Sequence, residues 1–190
     1  MKWIGNRISF KDQKNKATFV IHPPNIGWKL YLIYAWVLLW LIVGGVVFSQ
    51  LFLDYSEKEK IVLIVFLSFW VYFAVRVIRA MLYLSIGREY IRLDESGLYI
   101  KTARGKYGKS KRYFLENIAK IRMLEQKETS IQHAYESSPW VIGSDRIQFD
   151  YLGKTITFGK KLDPKETKLL FDIIVKRIES HLRKAKKRNE

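Results

Sequence analysis

"FWVYFAVRVIRAMLYLSIGRE" (residues 69–89) begins as lipid-soluble sequence and ends as water-soluble sequence. Arg76 and Arg79 interrupt its apolar run, and Ala80, Met81, Leu82, Tyr83 and Leu84 resume it. Whether these arginines form a functional charge pair or mark the edge of a membrane decides how the rest of the chain is arranged. Residues 61–75, which lead into them, carry no charge. Neither does "LYLIYAWVLLWLIVGGVVFSQLFL" (residues 30–53), an uncharged run of 24 residues. A helix needs roughly 20 residues to cross about 30 Å of hydrocarbon at 1.5 Å per residue. The charged link "DYSEKEK" (residues 54–60) is too short for anything but a hairpin, because unpaired backbone is not left in lipid. The first run is too long for a cleavable signal peptide, and no small-residue cleavage pattern follows it.

A hairpin folded about Glu57 sets Arg79 level with Ala35 and Arg76 level with Leu38. If hydrocarbon began at Lys29, Arg76 would lie about 13 Å deep, where a charge costs roughly 2.5–3.5 kcal/mol on insertion scales. However, Trp28, Tyr31, Tyr34 and Trp36 form an aromatic belt beside Lys29, the pattern expected at a headgroup interface. The hydrocarbon edge is therefore expected near Ala35 on the first helix and at 77–79 on the second. Arg76 and Arg79 then lift their guanidinium groups toward lipid phosphates from one helix face. An interfacial anchor is preferred to a buried ion site, since neither apolar run supplies an acidic partner. Specific capture of a phosphate or lipid is the remaining reading. Within the hairpin, Gly44, Gly45 and Ser49 suggest close helix approach, and Trp40 and Trp70 suggest core packing.

Orientation follows from charge. Residues 1–29 hold six basic residues against Asp12, the link holds two against three acids, and residues after 75 are heavily basic. The positive-inside rule predicts a two-pass protein of the plasma (inner) membrane with both termini in the cytoplasm. The net charge of +16 fits that bias. The absence of cysteine excludes disulfides, thiolate ligands and a cysteine nucleophile. His22, His133 and His181 are isolated, so no metal site is expected.

Outside the hairpin the period changes to two. "RISFKDQKNKATFVIHPP" (residues 7–24) reads as a small β-hairpin stopped by Pro23-Pro24, marginal alone and expected to pack on the C-terminal domain. "EYIRLDE" and "LYIKTAR" flank a tight turn at Ser96-Gly97, and "KRYF", "IAKIRMLE", "RIQFDY" and "KTITFG" continue the strand pattern, the last two joined by Leu152-Gly153. Residues 126–145 are the least patterned stretch, read as a long loop with one short edge strand. A final helix starts with Asp163 as N-cap, Pro164 at its first position and Glu166 completing a capping-box-like pair. Leu170, Ile174, Ile178 and Leu182 give it an apolar face.

The expected fold is thus a membrane α-helical hairpin plus an α+β domain, an antiparallel β-barrel or sandwich capped by a C-terminal helix. The segments are 1–27 (N-terminal β-hairpin), 28–53 and 61–86 (spans), 54–60 (extracytoplasmic loop), 87–182 (domain) and 183–190 (basic tail). Residues 83–122, with residues 147–178, resemble small bacterial two-helix membrane proteins of unknown function that carry a pleckstrin-homology-like cytoplasmic domain. The features that carry the resemblance are Gly87-x-Glu89 after the second helix, Phe158-Gly159 before the last helix, and that helix's acidic start. The order of parts is also similar to that of the photosystem I assembly factor of plastids and cyanobacteria. In eukaryotic pleckstrin-homology domains the last helix usually carries a tryptophan; none follows Trp140 here, which weighs against carrying their lipid-binding function over.

"ARGKYGKS" (residues 103–110) loosely matches a phosphate-binding loop, but about 80 residues are too few for the parallel sheet such a loop needs. Lys101, Arg104, Lys106, Lys109, Lys111 and Arg112 make the same segment basic. The resemblance implies that such a loop can cradle anionic headgroups. The plainer reading is a solvated loop attracted nonspecifically to anionic lipid, at about 1 kcal/mol per cation. The tail "RKAKKRNE" is explained by the same bias, and no nucleic-acid fold accompanies it. No nucleophile elbow or paired histidine points to catalysis. The expectation is a non-enzymatic membrane protein without cofactor that scaffolds or recruits a protein partner. The rival readings are an anionic-lipid sensor using residues 101–112 and a small membrane enzyme.

Overall fold

The computed structural model describes residues 2–13, 16–124 and 138–189. Along these residues the chain runs β1 (Lys2–Ile4), β2 (Ile8–Gln13), β3 (Lys16–Ile21), α1 (Lys29–Gln50), α2 (Glu57–Ile86), β4 (Gly87–Asp94), β5 (Gly97–Arg104) and β6 (Ser110–Tyr113). A 3-10 turn at Leu115–Asn117 then leads to β7 (Ile118–Met123), β8 (Asp145–Tyr151), β9 (Lys154–Lys160) and α3 (Pro164–Asn189). The fold is α+β.

β1 to β6 form one antiparallel sheet whose spatial order is the chain order. The apolar hairpin interrupts that meander between β3 and β4, which are neighbouring strands. The N-terminal strands therefore do more than pack on the domain as a separate hairpin: they are half of its first sheet. The reason lies in register. Phe19 faces Ile91 and Ala17 faces Leu93, so the inward sets of both strands coincide. The pairing also covers an edge of β4 that would otherwise be open. β1, unforeseen from the sequence, extends the sheet beyond β2.

β7, β8 and β9 form a second, three-stranded antiparallel sheet. The expected barrel does not close. The 3-10 turn carries the chain from one sheet to the other, and a register shift between Ala119 and Arg122, with Lys120 at φ 49°, bends β7 at its edge. Phe19, Ile91, Leu98, Phe149, Phe158 and Leu162 fill a single core between the sheets. The Leu152-Gly153 turn adopts left-handed φ at both positions (47° and 76°), as a two-residue hairpin of this twist requires.

α3 covers the core with Leu170, Ile174 and Ile178. The expected fourth member, Leu182, is 37% exposed, and His181 is buried in its place. Asp163 caps α3, accepting from the Glu166 amide at 2.7 Å. Glu166 does not reach back to complete a capping box. Its side chain accepts from the Asn6 and Arg7 amides at 3.2 and 3.1 Å instead. Arg177 ties the same helix to β2 through Asp12 Oδ1 and the Gln13 carbonyl, each at 2.8 Å.

α1 and α2 are each long and apolar enough to cross a membrane, and only 17% and 11% of their most apolar windows is buried. They pack with nearly the alignment expected from folding at Glu57. The Tyr34 hydroxyl meets Ser85 Oγ at 2.6 Å, and Ile33 and Val37 pack with Val77 and Leu84. Trp40 and Trp70 each donate an indole N–H to the other's backbone carbonyl, at 3.4 and 3.1 Å. Gly44 makes that pair possible: a Cβ there would lie 2.0 Å from Trp70. Gly45 faces open space, and Ser49 bonds its own helix at Val46, so neither serves the close approach expected of them. Gly44→Leu should therefore cost about 2–3 kcal/mol through overpacking and the lost indole bonds. Gly45→Leu should change almost nothing. Thermal unfolding of the full-length protein in mild detergent distinguishes the two, and equal shifts would contradict this packing.

Candidate functional site

Two neighbouring regions gather the chemistry-bearing side chains at the end of the β domain where the apolar hairpin enters. The first is a polar clasp. Period-two alternation in β4 turns Gly87, Glu89, Ile91 and Leu93 inward, so a carboxylate enters a core position. Glu89 is 2% exposed, and one of its oxygens, Oε2, accepts from the Gly159 and Lys160 amides at 2.8 and 3.2 Å. Burial, reinforced by the nearby Asp145 charge, pushes its carboxyl up to about 7. Asp145 is itself held by Lys160 Nζ at 3.2 Å and the Thr157 hydroxyl at 2.6 Å.

Arg7 closes the clasp from the other side. Its guanidinium donates to the carbonyls of His22 (3.0 Å), Lys160 (3.3 Å) and Lys161, joining the end of β3 to the end of β9. Its backbone amide, with that of Asn6, donates to the buried Glu166 carboxylate. Gly5 at φ +60° lets this turn come so close, since a Cβ there would sit 2.8 Å from Glu166. His22 lies beside it, bonded to Ser9 at 3.2 Å; burial and then the Arg88 and Arg7 charges lower its pKa. The Gly-x-Glu, the Phe-Gly and the acidic helix start, three separate features in the sequence, thus meet here. Arg7 carried no signal of its own, whereas Glu89 was visible as a charge on the inward side of an alternating strand.

The second region is a cavity of about 380 Å³ between α2 and residues 138–144, with Arg76 and Arg79 on one wall and Trp140, Gly143 and Ser144 on the other. Lys161 holds the far wall, donating to the Ser138 and Val141 carbonyls at 2.7 and 3.3 Å. Trp140 sits on Trp36 (ring centroids 5.0 Å apart), which stacks on Trp40 at 4.8 Å. Arg76 donates to the Tyr72 hydroxyl at 3.0 Å. The unpatterned stretch is described only from residue 138; its earlier part, and the edge strand read there, lie outside the described residues.

The structure does not gather the six cations of residues 101–112 into one site. Arg104 pairs with Gly87, and the Gly105 amide donates to the Ile86 carbonyl at 3.0 Å, so Arg104, Lys106 and Lys109 belong to the end where α2 enters. Arg112 pairs with Tyr99, about 17 Å further along β5, and donates to the Ser96 carbonyl at 2.7 Å. Lys101 and Lys111 lie between, opposite Ser110 and Ile100 respectively. Of the aromatic belt, Trp28 and Tyr31 are 67% and 74% exposed, Lys29 opens α1, Tyr34 bonds Ser85, and Trp36 is half-buried under Trp140. Among the described residues no cluster of His, Asp and Glu could hold a metal ion. Comparison of the chain with protein-family models, with curated proteins and with solved structures found no match.

Proposed function

We propose that the chain is a two-pass membrane protein presenting a pleckstrin-homology-like module in the cytoplasm, and that the module holds a protein partner at the membrane without catalysing a reaction. The membrane reading is supported by two long apolar helices left largely uncovered, since a water-soluble protein rarely exposes so much contiguous apolar surface. The positive-inside bias supports the orientation. The module reading is supported by the four strands β3–β6, the three strands β7–β9 and the single helix that follows them. On this view the hairpin is an insertion between two paired strands, and the module is fixed to its anchor by hydrogen bonds rather than by a flexible linker.

One observation carries the partner-binding role. The outer face of β4 and β5 is aromatic and basic: Arg92 lies 4.3 Å over the Tyr99 ring, Lys101 6.0 Å over Tyr90, and Arg112 4.5 Å over Phe114. Thr18 and Ser110 complete a shallow groove there. Tyr and Arg dominate the energetics of protein interfaces, and a face of this charge suits an acidic segment of a partner. A photo-crosslinking residue at position 99 of the full-length protein, in cells that naturally make it, should trap one protein. Arg92→Glu should abolish the adduct. No protein adduct, or one untouched by Arg92→Glu, refutes the proposal. The lipid-sensing reading has one observation in its favour, the placement of Arg104, Lys106 and Lys109 beside the end of α2.

A further inference from the structure

The cavity beside Arg76 and Arg79 is separate from the aromatic sheet face and asks for a different ligand. Its walls combine two guanidinium groups one helical turn apart with the backbone of Gly143 and Ser144 and the indole of Trp140. Its volume of about 380 Å³ is in the range of small-ligand sites. The far wall is built rather than accidental: Lys161 ties it down through Ser138 and Val141, and the Lys161 amide donates to the Ser144 carbonyl at 3.0 Å. On the hairpin side, Leu38, Leu39, Phe73 and Val75 are exposed close by along α1 and α2. An occupant therefore needs an anionic head for the arginines and an apolar remainder that continues along the helices.

We propose that this cavity binds the phosphate headgroup of one acidic phospholipid of the adjacent leaflet, its acyl chains lying against the uncovered apolar surface of the hairpin. This rests on the membrane reading above but not on the partner-binding role. Arginine suits the task because its planar fork gives phosphate oxygens two parallel, charge-assisted hydrogen bonds. Trp140 against Trp36 provides the amphipathic ring pair favoured at headgroup depth. A backbone segment laid beside Arg76 also sets the hydrocarbon edge beyond that residue, since unpaired peptide groups are excluded from lipid. This answers the question raised by the two arginines: they mark the membrane's edge, and at that edge they form a site.

The test is titration of the full-length protein in mild detergent with phosphatidylglycerol, phosphatidylcholine or inorganic phosphate, reading bound species by native mass spectrometry. One phosphatidylglycerol per chain is expected, with weaker phosphatidylcholine binding and no competition from inorganic phosphate. Replacing both arginines (Arg76→Gln with Arg79→Gln) should weaken phosphatidylglycerol binding by about tenfold or more. The same charge removed at Lys186 and Lys187 should weaken it by less than about twofold, as nonspecific attraction predicts. Equal losses in the two double variants would reduce the effect to general electrostatics and overturn the proposal. Competition by inorganic phosphate at comparable concentration, or equal binding of phosphatidylcholine, would overturn it as well. A variant that melts well below the parent is replaced by the Arg76→Lys, Arg79→Lys pair, which keeps charge but loses the fork and should show an intermediate affinity. Affinity equal to the parent's in that pair also refutes the arginine-specific site.

Discussion

Arg7→Ala is expected to lower the melting temperature of the full-length protein in mild detergent by roughly 10 °C, the shift of a domain of this size losing about 3 kcal/mol. Three carbonyls, those of His22, Lys160 and Lys161, depend on this one guanidinium. They lie at the ends of strands from different sheets, so no regular ladder can take over its role. These acceptors are partly buried, and one left there without a donor costs more than the bond itself contributes. Arg7→Lys should recover only part of the loss, since an ammonium cannot span three acceptors in the geometry of a planar fork. A control at Arg183, whose contact with Glu179 is an exposed pair at 3.8 Å, should shift the melt by almost nothing. If Arg7→Ala melts with the parent, the clasp does not hold the two sheets together.

Glu89→Gln should make the protein more stable as pH rises, with an effect of comparable size. The Glu89 carboxyl titrates near 4.5 when unfolded and at about 7 when folded, because burial and then Asp145 oppose its charge. The folded state therefore binds the extra proton between those values. The stability contributed by the neutral, buried form is complete below about 4.5 and is lost as pH rises through about 7, a change on the order of 3 kcal/mol. Glutamine stays neutral, and its single carbonyl oxygen can still accept from both Gly159 and Lys160, as Glu89 Oε2 does. Parent and variant should melt together near pH 4.5 and separate progressively up to pH 8, with the variant the more stable. The groups facing Glu89 (Asp145, Lys160 and Tyr83) are common to both proteins, as are His22 and His181, so the difference isolates Glu89. His22 and His181 act in the opposite sense. Burial lowers both pKa values, so their contribution is lost as pH falls. A gap that stays constant with pH would mean that Glu89 is ionised throughout.

A fragment starting at residue 88 is expected to aggregate when expressed without residues 1–87, as size-exclusion chromatography would show, because it lacks β1–β3 and bares the hydrogen-bonding edge of β4. Addition of residues 2–21 in trans is the natural rescue.

The elements themselves were legible one by one. Uninterrupted apolar runs at 30–53 and 61–75 gave the two long helices, because the cost of burying charge or bare backbone leaves few alternatives for such stretches. Alternation placed β3–β9 to within a residue or two, since a one-residue slip would turn every inward side chain outward, while β2 runs three residues into the polar stretch that reads as its turn. Proline after aspartate gave the start of α3. Separate features of the clasp were visible too: Gly87-x-Glu89, Phe158-Gly159 and the acidic first turn of α3.

Their meeting was not legible, because local pattern fixes which face a residue takes and not which distant element covers it. Only the tertiary structure joined β3 to β4 across the hairpin, and it did so through cross-strand register, a property of two segments together. Only it brought Glu166 and Arg7 together across most of the chain, and spread six consecutive-looking cations along the length of a strand pair. The capping box that sequence spacing suggested at Glu166 lost to a pair of amides in the β1–β2 turn, both of which donate to Glu166 Oε1. Sequence by itself determined the parts, because solvation and backbone geometry act locally. Which part lies against which was decided by contacts between distant residues where hairpin, sheets and helix converge, those of Arg7, Glu89 and Glu166 above all.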